Sequence, residues 1–181
     1  APPEGPPIDL VTAILGLALL PASLACAIVW GIALEKIART TRTLPSGGDG
    51  VRVADERGVP EGPVCVVVPA HNEADEIEGL VATLRAQDHP DLRVVLALDR
   101  CTDDTRARAD AAIAGDPRFD VVEIDACPDD WAGKVHAAWS GVTRSPLAEG
   151  AAHLVFTDAD CRFHPACLRA TLALLDRKSV V

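Results

Sequence analysis

Two kinds of pattern divide this chain. From Leu10 to Leu34 it is apolar and nearly uncharged. From Pro63 onward, short β-branched runs alternate with segments whose apolar positions recur every three or four residues. The first pattern, as a helix rising ~1.5 Å per residue, is long enough to cross a bilayer with some tilt. The second is what strands and helices produce when they take turns.

Val64-Cys65-Val66-Val67-Val68 is a continuous apolar run, as expected of a strand covered on both faces. Ile77, Leu80, Val81 and Leu84 then fall on one helical face. Arg93–Leu98 reads as a second strand, and Thr102 with Asp103 and Asp104 as the capped first turn of a second helix. Phe119–Ile124 is a third strand. Val135, Ala138, Trp139 and Val142 mark a helix over Gly133–Val142, and His153–Thr157 a fourth strand. Pro165 suits a first helical turn, with Leu168, Leu172 and Leu175 lining the last helix. Four alternations predict an α/β fold: an open, mostly parallel sheet with helices on both faces, preceded by one transmembrane helix. Ligands of such sheets sit beyond the carboxyl ends of the strands.

Flanking charge orients the apolar segment. Glu4 and Asp9 precede it, Lys36, Arg39 and Arg42 follow it, and Trp30 suits an interface. The positive-inside bias puts the N-terminus outside and everything after Glu35 in the cytoplasm, a single-pass protein of the inner (cytoplasmic) membrane. A cleaved signal peptide is the rival reading, but no basic residue precedes the run and the run is long for one. The resulting organisation is a tail at 1–9, a transmembrane helix at 10–34, a juxtamembrane linker at 35–62, rich in glycine and proline from residue 43, and a ligand-binding domain at 63–181.

The formal net charge of −10 lies mostly after residue 60. Such a surface repels nucleic acid, so no nucleic-acid partner is expected, and an anionic diphosphate would need a metal to mediate. Six cysteines form no C-x-x-C pair, and small buried thiols are the reading that fits their apolar neighbours.

Polar clusters fall at three strand ends. Pro69-Ala70-His71-Asn72-Glu73 follows the first, Asp99-Arg100-Cys101-Thr102-Asp103-Asp104-Thr105 the second, and Asp158-Ala159-Asp160 the fourth. Alternation puts Asp158 and Asp160 on one side, which suits a shared divalent ion. Each cluster also has a plainer reading: Asn72 and Glu73 as helix caps, Asp99 as a strand end, Asp158 as partner of an arginine. All three at strand ends make coincidence the weaker account. No G-x-G-x-x-G and no G-x-x-x-x-G-K-[ST] occurs, so backbone glycines do not cradle phosphates here. A metal held by carboxylates can do that work instead.

The order of these clusters, with Trp131-Ala132-Gly133-Lys134 between the second and last, resembles the donor-binding half of family-2 glycosyltransferases with the Rossmann-like GT-A fold, over residues 63–178. The apolar lead, Ala86-Gln87-Asp88-His89-Pro90 and Gly133-Lys134 are similar to members of hopanoid and other lipid or cell-envelope pathways. That resemblance implies a nucleotide-diphosphate sugar, UDP-linked, as donor and a lipid or glycan as acceptor. It places Pro69 and Ala70 against the nucleotide, with Glu73 bracing their loop. Asp99 would accept a hydrogen bond from the base, Asp158 would approach the ribose or sugar, and Asp160, with Asp158, would hold Mn²⁺ or Mg²⁺ on the diphosphate. Lys134 would add positive charge near the phosphates, or be a solvated lysine at a helix start. His71 would line the pocket; His136, His153 and His164 read as surface or packing residues. An inverting transferase also needs a carboxylate base. No catalytic residue is identifiable here, and the base is expected beyond Val181, with an exposed sheet edge and apolar face where the acceptor half packs. The alternative is a non-catalytic nucleotide-sugar-binding membrane protein. A pyrophosphorylase is disfavoured, because no glycine-rich basic loop follows the first strand.

Overall fold

The computed structural model describes residues 9–178; the expected tail, apart from Asp9, and residues 179–181 lie outside them. The chain divides into two units, one ending at Leu44 and one beginning at Pro45. The first holds a single helix, α1 (Leu10–Thr43), with Pro21 inside it. It contains an apolar window long enough to cross a membrane, and the large apolar side chains described along it, such as Leu17, Leu20 and Leu24, are exposed. The helix runs on past the expected end at Leu34, taking in Lys36, Arg39 and Arg42. No glycine or proline interrupts that extension, and Arg39 donates to Glu35 one turn back. It stops just short of Pro45, a residue that bars helical backbone at the position before it.

The segment expected to be linker holds a helix, α2 (Gly47–Arg57). Its start is a reciprocal cap: the Asp49 amide donates to Ser46 Oγ, and the Ser46 amide donates to the Asp49 carboxylate. Val53 and Ala54 are buried with Ala173 of the last helix, α6 (Cys167–Lys178). Gly50 permits that approach, since a Cβ there would lie 2.6 Å from the carbonyl oxygen of Ala170. Three glycines in four residues read as a linker; the cap and the buried contact override their low helix propensity.

The sheet follows the expected pattern. Its strands are β1 (Val64–Ala70), β2 (Leu92–Asp99), β3 (Phe119–Ile124) and β4 (His153–Phe156), in the order β3-β2-β1-β4 and all parallel. Between them run α3 (Ile77–Arg85), α4 (Thr105–Ile113) and α5 (Gly133–Arg144). The pleat sorts β1 between two cores. Val66 and Val68 pack with Ile77, Leu80, Val81 and Leu84 of α3 and with Ala109 and Ile113 of α4. Cys65 and Val67 face the other way, toward Ala137 of α5. The chain moves outward from β1 to β3, then returns to lay β4 against the opposite side of β1. The order therefore reverses between β1 and β4, and in open α/β sheets that reversal opens a crevice at the carboxyl ends.

One local expectation differs, and an open sheet face is present. Thr102 does not cap α4; Asp104 holds the cap position, and Asp103 accepts instead from the Thr105 amide and hydroxyl. One face of β4 is open, with Leu154 43% and Phe156 55% exposed, because β4 is an edge strand and α5 lies over β1 and β2.

Candidate functional site

A cleft of about 210 Å³ opens at that reversal point. Every residue expected to touch a donor or a metal lines it: Pro69, Ala70, Glu73, Asp99, Lys134, Asp158 and Asp160. His71, Ala137 and Ala159 complete the wall. Pro69 and Ala70 end β1, Asp99 ends β2, Lys134 opens α5, and the two aspartates follow β4. Residues far apart in sequence thus meet because parallel strands all point their carboxyl ends the same way.

The first two loops are stitched together. Asn72 adopts a left-handed backbone, φ 56°, and its Oδ1 accepts from the Thr102 amide at 2.8 Å. The Thr105 hydroxyl accepts from the Glu73 amide at 2.8 Å, and Asp103 Oδ2 from the Ala74 amide at 3.3 Å. The Thr105 hydroxyl in turn holds the Asp103 carboxyl below the usual carboxylate range. Bracing of this loop was expected of Glu73. The structure gives that task to Asn72, Asp103 and Thr105, while Glu73 contributes its amide and lines the cleft.

Asp99 is 4% exposed, and its carboxylate is gripped by its neighbour. Arg100 Nε donates to Oδ1 at 2.9 Å and Nη2 to Oδ2 at 2.8 Å. This fork holds the Asp99 carboxyl below its ordinary value, against a burial that acts the other way. The Asp99 carbonyl lies 2.5 Å from His71 Nδ1; a carbonyl only accepts, so that ring nitrogen carries the proton. His71 is therefore the pocket-lining residue expected, with a bond that fixes its ring.

Beyond β4, Ala159 is buried while Asp158 and Asp160 are exposed, so the alternation outlasts the strand and leaves both carboxylates at the cleft. Lys134 forms an ion pair with Asp158. That hydrogen bond raises the Lys134 ammonium above its ordinary value, with Asp160 adding to it. The expected basic partner of Asp158 is thus a lysine from α5 rather than an arginine. Among the described residues no three His, Cys, Asp or Glu side chains cluster as a metal cage. Two hard carboxylate donors still fit Mg²⁺ or Mn²⁺, which bind through one or two carboxylates and complete their shell with substrate phosphate and water.

Arg100 and Thr105 are the site residues that sequence reasoning passed over. Thr105 stands in the quoted motif but had no role; Arg100 had no signal beyond its place beside Asp99.

The family described as "Glycosyl transferase family 2" matches residues 65–181. Among solved structures, the chain is similar to S. aureus TarS 1–349, with a TM-score of 0.52 and 20% identity over 64% of this chain and 32% of that one. It is similar also to the mannosyltransferase PcManGT from Pyrobaculum calidifontis in complex with GDP-Man and Mn²⁺, with a TM-score of 0.53 and 24% identity over 70% of this chain and 38% of that one. TarS 1–349 in complex with UDP-GlcNAc matches with a TM-score of 0.51 and 20% identity, over 64% of this chain and 31% of that one. The chain spans about a third of the length of these structures. No curated protein sequence matches it.

Proposed function

Because this chain belongs to glycosyl transferase family 2, we propose that it is the donor-binding part of a membrane-anchored, metal-dependent, inverting glycosyltransferase. Its donor is a sugar carried on a nucleoside diphosphate, UDP in the first instance, and its acceptor a lipid or cell-envelope glycan. The observation that carries this reading is the convergence of Asp99, Asp158, Asp160 and Lys134 on one cleft at the sheet's reversal point. Complexes with UDP-GlcNAc, and with GDP-Man and Mn²⁺, in proteins of the same fold support the donor class and the metal.

Each residue then has a task. Pro69 and Ala70 present a flat apolar rim to the nucleoside. Asp99, buried and ionised, accepts from an imide N–H of the base, as uracil offers. Asp160 and Asp158 hold Mn²⁺ or Mg²⁺. When bound, that ion neutralises charge on the diphosphate and so makes it a better leaving group. Lys134, paired with Asp158 in the free site, lies where its ammonium can turn to the phosphates once a cation takes the carboxylate. No residue here is assigned as the catalytic base. α1 spans the inner membrane, and Lys36, Arg39 and Arg42 keep the domain on the cytoplasmic face.

Titration with UDP tests the site. With Mn²⁺ present the chain binds UDP, and chelating the metal weakens binding at least about tenfold, the loss expected when a charge-assisted contact worth ~1.4 kcal/mol or more disappears. Asp160→Ala reproduces that loss in the presence of Mn²⁺. Binding that ignores both metal and substitution refutes the assignment.

A further inference from the structure

Arg100 has a backbone φ of 48°, in the left-handed region that residues with a Cβ seldom occupy. Its amide is held by the Ile124 carbonyl at 2.8 Å, and the turn folds its guanidinium back over the preceding side chain. The first residue of α5 closes on that pair. A Cβ at Gly133 would stand 2.9 Å from Arg100 Nη2 and 3.1 Å from Asp99 Oδ2, so only glycine leaves the fork undisturbed. A strained turn, a two-pronged bond and a close helix start converge on one carboxylate.

We infer that Arg100 is a positioning residue: it holds Asp99 as an oriented acceptor for the nucleobase and thereby sets which bases the cleft takes. The inference rests on the proposed contact between Asp99 and the base. An ionised carboxylate offers about four lone-pair sites; the fork uses two and aims the others. Uracil and guanine present a ring N–H at the centre of their pairing edge. Cytosine and adenine present a bare ring nitrogen there, whose lone pair would face the carboxylate oxygen. That clash discriminates only while Asp99 can neither rotate nor carry a proton. A neutral carboxyl could donate to cytosine or adenine, a turned carboxylate would lose its aim at the ring N–H of uracil or guanine, and the fork prevents both changes. Burial alone would favour the neutral form, so Arg100 opposes the very change that would erase selectivity.

The test is calorimetric titration of the full chain, with Mn²⁺, against UDP, GDP, CDP and ADP. The wild type prefers UDP over CDP, or GDP over ADP. Arg100→Met keeps the stem but removes the fork and lowers that preference about tenfold, the equivalent of one charge-assisted bond. Arg100→Lys restores part of it, since an ammonium supplies charge without the planar fork. Gly133→Ala displaces Arg100 with its charge intact and lowers the preference in the same direction. A residue with a merely structural role would weaken all four nucleotides alike. If both Arg100→Met and Gly133→Ala keep the wild-type preference while Asp99→Asn loses it, the inference falls and the base contact stands. If Asp99→Asn also keeps the preference, or if the wild type shows none, the base contact falls and takes the inference with it.

Discussion

The three aspartates in the cleft are held in three ways. Asp99 is buried in an arginine fork, Asp158 is half exposed and paired with Lys134, and Asp160 is exposed. On the proposed reading, Asp160 would offer its carboxylate to a cation directly, whereas Asp158 would have to share or release Lys134. Fork-held carboxylates recur away from the cleft, where their effect on stability can be read without ligand. Asp116 accepts from Arg118 Nε and Nη2 at 3.1 and 2.7 Å and also lies near Arg85, and the Arg118 bonds hold its carboxyl below the usual range. A lowered folded value means that the stabilisation is complete above the unfolded value of ~3.9 and is lost as pH falls through the folded one. Arg118→Ala therefore moves acid unfolding, followed by circular dichroism, to higher pH; an unchanged midpoint contradicts the pairing. The aspartates themselves were legible in the sequence as charges at strand ends. Their partners were not, because Lys134 meets Asp158 only through the β4 return and Arg100 reaches Asp99 only through a left-handed turn that no residue type announces.

Among elements, those with one clear period were readable. β1 is uniformly apolar because it is paired on both sides and covered on both faces, and α3 repeats its apolar residues along one stripe. α2 was not readable, because its glycines argue against a helix and its stabilising partner, α6, lies more than a hundred residues away. Gly50 gives a test with competing signs. Replacing glycine by alanine in a helix normally gains up to ~1 kcal/mol. Here the added methyl meets the Ala170 backbone, and overpacking of that kind costs ~1–3 kcal/mol. The contact outweighs the propensity, so Gly50→Ala lowers the thermal midpoint by a few degrees. A raised midpoint would mean that α2 does not pack on α6.

At the scale of the whole chain, the three buried cores among the described residues all lie after Leu44, whereas large apolar side chains described along α1 are exposed. A protein starting at Pro45 is thus expected to keep the mixed helix and sheet dichroism of the fold and to stay in the supernatant on ultracentrifugation. The full chain is expected in the membrane fraction; recovering it in the supernatant contradicts α1 as an anchor. The parallel order of the sheet followed from the alternation of elements, but the reversal between β1 and β4 did not. Sequence periodicity fixes neither which side of β1 the returning strand takes nor how widely the crevice opens.

The proposed function centres on a divalent cation that Asp160 and Asp158 would hold at that reversal while Asp99 accepts from the base. Crystals of the chain grown with Mn²⁺ and UDP, with the manganese located by its anomalous scattering, test this most directly. The expected result is a manganese peak at coordination distance, ~2.2 Å, from the Asp160 carboxylate and a diphosphate oxygen, with the uracil edge on Asp99. Manganese or nucleotide bound elsewhere, with these three side chains untouched, would contradict it.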